Sequence, residues 1–246
     1  EQKLPFHVPI VLGLLDESGQ ELDLSKTELR CSMDTSLRDK NRSLLLELRE
    51  DATEIEFASF DRKPVVSFLR AFSAPVKLNY QREKEETQFI ARNDKDGFVR
   101  WDAMQTLWLA AFDDPALEEA PCEVVQETAI EALKAENAEQ KLLRANMLSV
   151  PSELYLLEQL SDIDLDRTLN QRDDLLRKLA IDNRDTWLQV YETYENDKAF
   201  SAEADAVADR TLANLSFSYL IRGLLAEGKE SDAVDLIDTR YCKSNN

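Results

Sequence analysis

Apolar residues in the first 80 positions recur at every second residue. Phe6, Val8, Ile10, Leu12 and Leu14 fall along one face of a predicted strand. Asp16-Glu17-Ser18-Gly19 follows as a turn, its glycine suited to a positive φ, and Leu22 and Leu24 begin the return. Leu44, Leu46 and Leu48 alternate again, as do Ile55 and Phe57. Val65, Val66, Phe68 and Phe72 come after Pro64, and Val76, Leu78 and Tyr80 after Pro75. Short alternating segments split by turn signals predict a small antiparallel, immunoglobulin-like β-sandwich over residues 1–82.

Near residue 82 the period changes to 3.6. Trp101, Met104, Trp108 and Phe112 sit at helical spacing, as do Trp187, Val190, Tyr191 and Tyr194. Leu165, Leu169, Leu176 and Leu179 form one stripe, and Leu212, Leu215 and Tyr219 another. Pro121 and Pro151 mark helix starts, where a missing N–H is harmless. Gly228 stops one helix, and Ser231 is placed to cap the next, predicted to bury Val234, Ile237 and Tyr241. Seven or eight helices are expected over residues 83–246. With no fixed-length repeat visible, they predict an irregular superhelical stack of helix pairs rather than a strict solenoid. The fold class is therefore β then α, in two domains.

Charge sharpens this division. Residues 1–82 carry 14 acidic and 12 basic side chains, and residues 83–246 carry 35 and 18, within a net charge of −19. So acidic a surface argues against a nucleic-acid partner, which needs clustered Lys and Arg. The acids are scattered through helical patterns, as on a solvated surface. Hydrophobic residues at 43% suit a globular chain, and no run of 18 apolar residues predicts a membrane span. Three widely spaced cysteines, Cys31, Cys122 and Cys242, fit free thiols in a reducing, cytoplasmic setting. The abrupt ends, Glu1-Gln2-Lys3 and Ser244-Asn245-Asn246, read as cuts in a longer protein.

Candidate chemistry is sparse. A catalytic zinc needs about three protein ligands, and the chain has one histidine, His7, expected at the surface or in packing. No HExxH, GxSxG or glycine-rich phosphate loop occurs. Cys122 follows Pro121 at a helix start, where a thiolate would gain from the dipole, but a buried thiol is the plainer expectation. The carboxylate pairs Asp173-Asp174 and Asp162 with Asp164 are assigned to helix surfaces and caps. No catalytic, cofactor or metal residue is selected.

Two strings stand out. One runs from Leu69 to Leu78; the other holds Arg92, Asp94, Arg100, Trp101 and Asp102 at the junction of the two periods. Paired ions around Trp101 are expected to brace the sandwich against the helices, a binding site being the sharper alternative. The runs PVVSFLRAFSAPVKLNY (Pro64–Tyr80) and ARNDKDGFVRWDAMQTL (Ala91–Leu107) resemble the end of the β-sandwich and the opening of the helical domain in the bacterial aminopeptidase N family. PFHVPIVLGLLDESGQEL (Pro5–Leu22), SVPSELYLLEQLSDID and RTLANLSFSYLIRG are similar to it in the same order, more loosely through residues 113–200.

The resemblance implies a structural fragment of a zinc-dependent exopeptidase that removes single residues from peptide N-termini. It implies that the zinc, its HExxH ligands, a GAMEN motif and an oxyanion tyrosine belong to a catalytic domain of the same parent chain. None of these has a match here, so the chain alone is expected to be inactive and metal-free. Its partners would be that catalytic domain and, in the parent, short peptides. The rival expectation is an independent peptide- or protein-interaction module. Monomer with weak self-association through an uncovered helix face is the expected state.

Overall fold

The computed structural model describes residues 5–58, 60–161, 163–196 and 200–244. The chain divides into two compact units, Glu1–Thr106 and Leu107–Asn246.

The first unit holds six strands: β1 (Val8–Leu15), β2 (Glu28–Cys31), β3 (Thr35–Arg38), β4 (Ser43–Leu48), β5 (Ile55–Ala58) and β6 (Val65–Phe68). All pairs are antiparallel, with one sheet ordered β3-β4-β1-β6 and a second made of β2-β5. In the β1–β4 register Ile10 faces Leu46 and Leu12 faces Leu44, so the alternating leucines of both strands meet on one face. These residues, with Leu14, Leu24, Leu69 and Ala74, make the buried core. The Asp16–Gly19 turn forms as expected. Asp16 Oδ1 accepts from Ser18 N at 2.8 Å and Gln20 N at 3.0 Å, and Gly19 takes φ +80°.

Three expectations for this unit are corrected. Phe6 is 87% exposed, because pairing with β4 begins only at Val8 opposite Leu48. No strand forms over Val76–Tyr80. Leu69, Ala71 and Phe72 take left-handed φ values of 58°, 54° and 49°, which turns the chain off the sheet before Pro75. Phe72 is left 54% exposed. Strands β2 (ELRC) and β3 (TSLR) were not foreseen, since neither shows a clean apolar alternation.

Nine helices occur among the described residues: α1 (Lys84–Asn93), α2 (Gly97–Asp113), α3 (Glu119–Ala132), α4 (Ala138–Leu148), α5 (Glu153–Gln159), α6 (Leu165–Asp182), α7 (Arg184–Tyr194), α8 (Ala204–Ala226) and α9 (Glu230–Ser244). The division between the units falls inside α2, so α1 and the first turns of α2 belong with the strands. Asn137, Ser152 and Asp164 cap α4, α5 and α6, each accepting from a backbone N–H three residues on. Pro121 lies in the first turn of α3, and Pro151 precedes the Ser152 cap.

In the second unit α8 packs against α4, α6, α7 and α9. Apolar residues therefore surround much of its circumference. Trp187 of α7 stacks on Tyr219 of α8 with ring centroids 4.3 Å apart and planes 8° from parallel. Tyr219 donates its hydroxyl to Leu148 O at 2.8 Å, and Trp187 Nε1 donates to Leu179 O at 2.9 Å. These two buried aromatics thus keep their polar atoms satisfied.

The α6 stripe buries Leu176 and Leu179 but leaves Leu165 exposed, one residue inside the helix start. Ser231 lies within α9 and does not cap it. Val234, Ile237 and Tyr241 are 54%, 44% and 68% exposed, against the expectation of burial. The reason is rotational. Ala233 is buried, and the Arg240 guanidinium sits 4.4 Å from the Phe217 ring centre and 5.6 Å from that of Tyr191. Residues 233 and 240 share the inner face, so 234 and 241 share a face turned away from it, while Ile237, four residues after Ala233, lies at the margin of the inner face and is only half covered.

Candidate functional site

The first unit buries a charged centre where β6 leaves the sheet. Arg70 is 4% exposed, and its guanidinium lies against Gly13 so closely that a Cβ there would come within 2.3 Å of Cζ. Its Nε donates to Ser67 Oγ at 2.8 Å, Nη1 to Glu21 Oε1 at 2.7 Å and Ser43 Oγ at 3.3 Å, and Nη2 to Asp94 Oδ1 at 3.3 Å. Asp94, 2% exposed, also accepts from Asp96 N at 2.9 Å. Asp96 in turn accepts from Ala71 N at 2.7 Å and Val99 N at 3.0 Å. Two carboxylates in the α1–α2 link thus hold the left-handed turn, offsetting a backbone cost of about 1–3 kcal/mol per strained residue.

Both singled-out strings meet here. Asp94 pairs with Arg70 of the first string. Arg100 donates through Nε to Ala91 O at 2.8 Å. Trp101 is half-buried beside Phe98 (6.1 Å), which contacts Phe72 (4.9 Å). Burial raises the Asp102 carboxyl above its ordinary pKa, with Arg82 opposing. The arrangement braces strands to helices inside one unit. Arg70 turns its donors inward, so the centre offers no open face for chemistry.

The other candidates are dispersed. His7 contacts Glu47, and that hydrogen bond holds the Glu47 carboxyl below its ordinary value. Asp173 pairs with Arg222 at 3.1 Å, Asp174 with Arg177 at 3.7 Å, and Asp164 caps α6, while Asp162 lies outside the described residues. Burial pushes the Cys122 thiol up to about 11, with Lys178 opposing and Glu118 and Asp182 adding to it. The dipole gain at the α3 start is therefore overridden. At pH 8, Cys122 is expected to alkylate at least about tenfold more slowly than exposed Cys242, measured by mass mapping after iodoacetamide treatment.

One open groove was missed by sequence reasoning. In the second unit, Arg167, Asn170, Gln171, Asp174, Leu175 and Lys178 of α6 line a cleft of about 510 Å³. Their spacing is that of a single helix face, and the signal available was polar side chains recurring at i, i+3 and i+4 where a stacked helix should be apolar. Pro115 and Glu118 form the opposite wall. Lys178 Nζ bonds Glu118 Oε1 at 2.6 Å, and Gln171 Nε2 bonds Ala111 O at 2.8 Å.

Zinc, implied by the resemblance, does not fit the residues present. Among the described residues no group of three or more His, Cys, Asp or Glu could hold a metal ion.

A family model described as a domain of unknown function with ARM repeats (DUF3458_C) matches residues 84–246, more than half of the chain. A companion model, described as a domain of unknown function with an Ig-like fold (DUF3458), matches residues 1–81. The chain belongs to the DUF3458_C family. This DUF3458_C chain is 27% identical to aminopeptidase N of Escherichia coli (strain K12), over 100% of its own length and 27% of the relative's. It is 25% identical to aminopeptidase N of Haemophilus influenzae, again over 100% of itself and 27% of that protein. Aminopeptidase N of Caulobacter vibrioides is 30% identical over 65% of the chain and 19% of the relative. The DUF3458_C chain thus spans about a quarter of the length of these curated relatives. The likeness to aminopeptidase N carried by the two strings extends over the whole chain. A solved structure, Legionella pneumophila aminopeptidase A in complex with aspartic acid, shares the fold at a TM-score of 0.65 and 20% identity, over 91% of this chain and 25% of that one.

Proposed function

We propose that this chain is the non-catalytic sandwich and helical portion of an aminopeptidase N-type zinc exopeptidase. Alignment of its entire length to about a quarter of two aminopeptidases N carries the reading. In the parent, a separate catalytic domain supplies the zinc and the general base, and the two units described here help wall in the site. Such walls limit access to short peptides and keep out bulk water. The boundary between sandwich and helical domain is placed at residues 82–83. The parent is placed in the cytoplasm, in line with three cysteines free of disulfides. No described helix is long and apolar enough to cross a membrane.

Zinc in the parent supplies a polarised water and carbonyl. The contribution of the described residues is positional: the Arg70 centre holds the turn after β6, and the Trp187–Tyr219 stack holds α7 against α8.

The purified chain is expected to retain less than about 0.1 zinc per molecule after dialysis and to leave alanine p-nitroanilide uncleaved. Mixing it with a catalytic portion of the parent should restore hydrolysis. One tight zinc per chain, or hydrolysis by the chain alone, would sink the reading.

A further inference from the structure

We propose that the α6 groove of the second unit is a binding site for a short zwitterionic peptide, with the peptide carboxylate on Arg167 and its α-ammonium on Asp174. The lining carries this without the aminopeptidase reading.

The groove, about 510 Å³ and open to solvent along one side, has room for a short extended chain laid along α6. One end is closed by the Glu118–Lys178 pair, whose charges satisfy each other at 2.6 Å. Arg167 and Asp174 remain, opposite in sign and seven residues apart on α6. That spacing is roughly 10 Å along a helix axis. An extended tripeptide, at about 3.4 Å per residue, spans the same distance.

Between the two charges stands Asn170, whose amide offers the donor and acceptor that a peptide bond requires. Leu175 and Pro115 give the groove its apolar surface. A phosphate or nucleotide would meet Asp174 and Glu118 with the wrong sign. A simple amine would meet Arg167. A neutral apolar molecule would leave both charges unanswered. Among the described residues Asp174 pairs with Arg177 at 3.7 Å, an exposed pair that a ligand ammonium can displace at little cost.

Isothermal titration of the 246-residue chain with trialanine, trialanine amide and N-acetyltrialanine tests this. Trialanine is expected to saturate, and each blocked peptide to bind about fivefold more weakly. Arg167→Gln should erase the discrimination between trialanine and its amide. Asp174→Asn should erase that between trialanine and its N-acetyl form. Both side chains are exposed, so unchanged thermal melting of the variants confirms that the fold is intact. Absence of saturation, equal binding of the blocked peptides, or unchanged binding by both variants would overturn the proposal.

Discussion

Arg70→Ala is expected to destabilise the strand-bearing unit by about 3–5 kcal/mol, enough to unfold it in mild urea. The loss is not that of one ion pair in water. Removing the guanidinium strands Asp94, whose Oδ2 already has no hydrogen-bond partner in the structure, and leaves Glu21 uncompensated at 21% side-chain exposure. Ser43 and Ser67, both buried, lose an acceptor role at the same time. It also empties the space over Gly13. Arg70→Lys should recover only a fraction, because one ammonium cannot replace a planar fork that reaches four side chains. Urea unfolding followed by far-UV circular dichroism reads the effect. A midpoint within about 0.3 M of wild type in Arg70→Ala would show the centre to be energetically idle.

Trp187→Ala is expected to cost about 3–5 kcal/mol in the second unit, through the cavity left beneath Tyr219. Trp187 is fully buried, and its loss removes both the ring stack and the Nε1 bond to Leu179 O. The milder Tyr219→Phe keeps the stack and loses the bond to Leu148 O, for about 1–3 kcal/mol. This variant also has a pH signature. Burial raises the Tyr219 phenol above its ordinary value, so the folded state resists ionisation. A group whose folded pKa is raised adds stability that is present below its unfolded pKa, near 10, and lost as pH climbs beyond it. Wild type should therefore weaken above about pH 10 more steeply than Tyr219→Phe. Parallel alkaline denaturation curves for the two proteins would refute the assignment.

How much of this was legible in the sequence depended on whether one element could be read alone. Strands β1 and β4 were, because their leucines alternate and face each other in register. Strands β2 and β3 were not: ELRC and TSLR are short and largely polar, and the second sheet β2-β5 exists only through pairing. The false strand at Val76–Tyr80 had the right period, but the left-handed turn at Leu69–Phe72 overrode it. That turn is paid for by Asp94 and Asp96, some 25 residues on, which no local pattern reveals. Helices were read more reliably, since stripes such as Trp187, Val190 and Tyr194 are internal to one element. Helix lengths from 7 to 23 residues explain why no repeat period showed, although the family model describes ARM repeats. The Arg70–Asp94 pair is not legible within the second string, because Arg70 is distant in sequence. The α6 groove went unread because its residues look like an ordinary solvated face until Pro115 and Glu118 stand opposite.

Helix α9 is fastened through Ala233 and Arg240 on its inner face. Arg240 lies against Phe217 and Tyr191 and reaches Glu195 Oε2 at 3.3 Å, while Val234, Ile237 and Tyr241 add little buried area. The link to α8 passes through Gly228, around which a Cβ would find nothing within 4 Å. A helix so attached can peel away without the rest of its stack opening. Its amide protons are therefore expected to trade with deuterium well before those of α8, and guanidinium loss at position 240 is expected to strip their protection while leaving that of α8 in place.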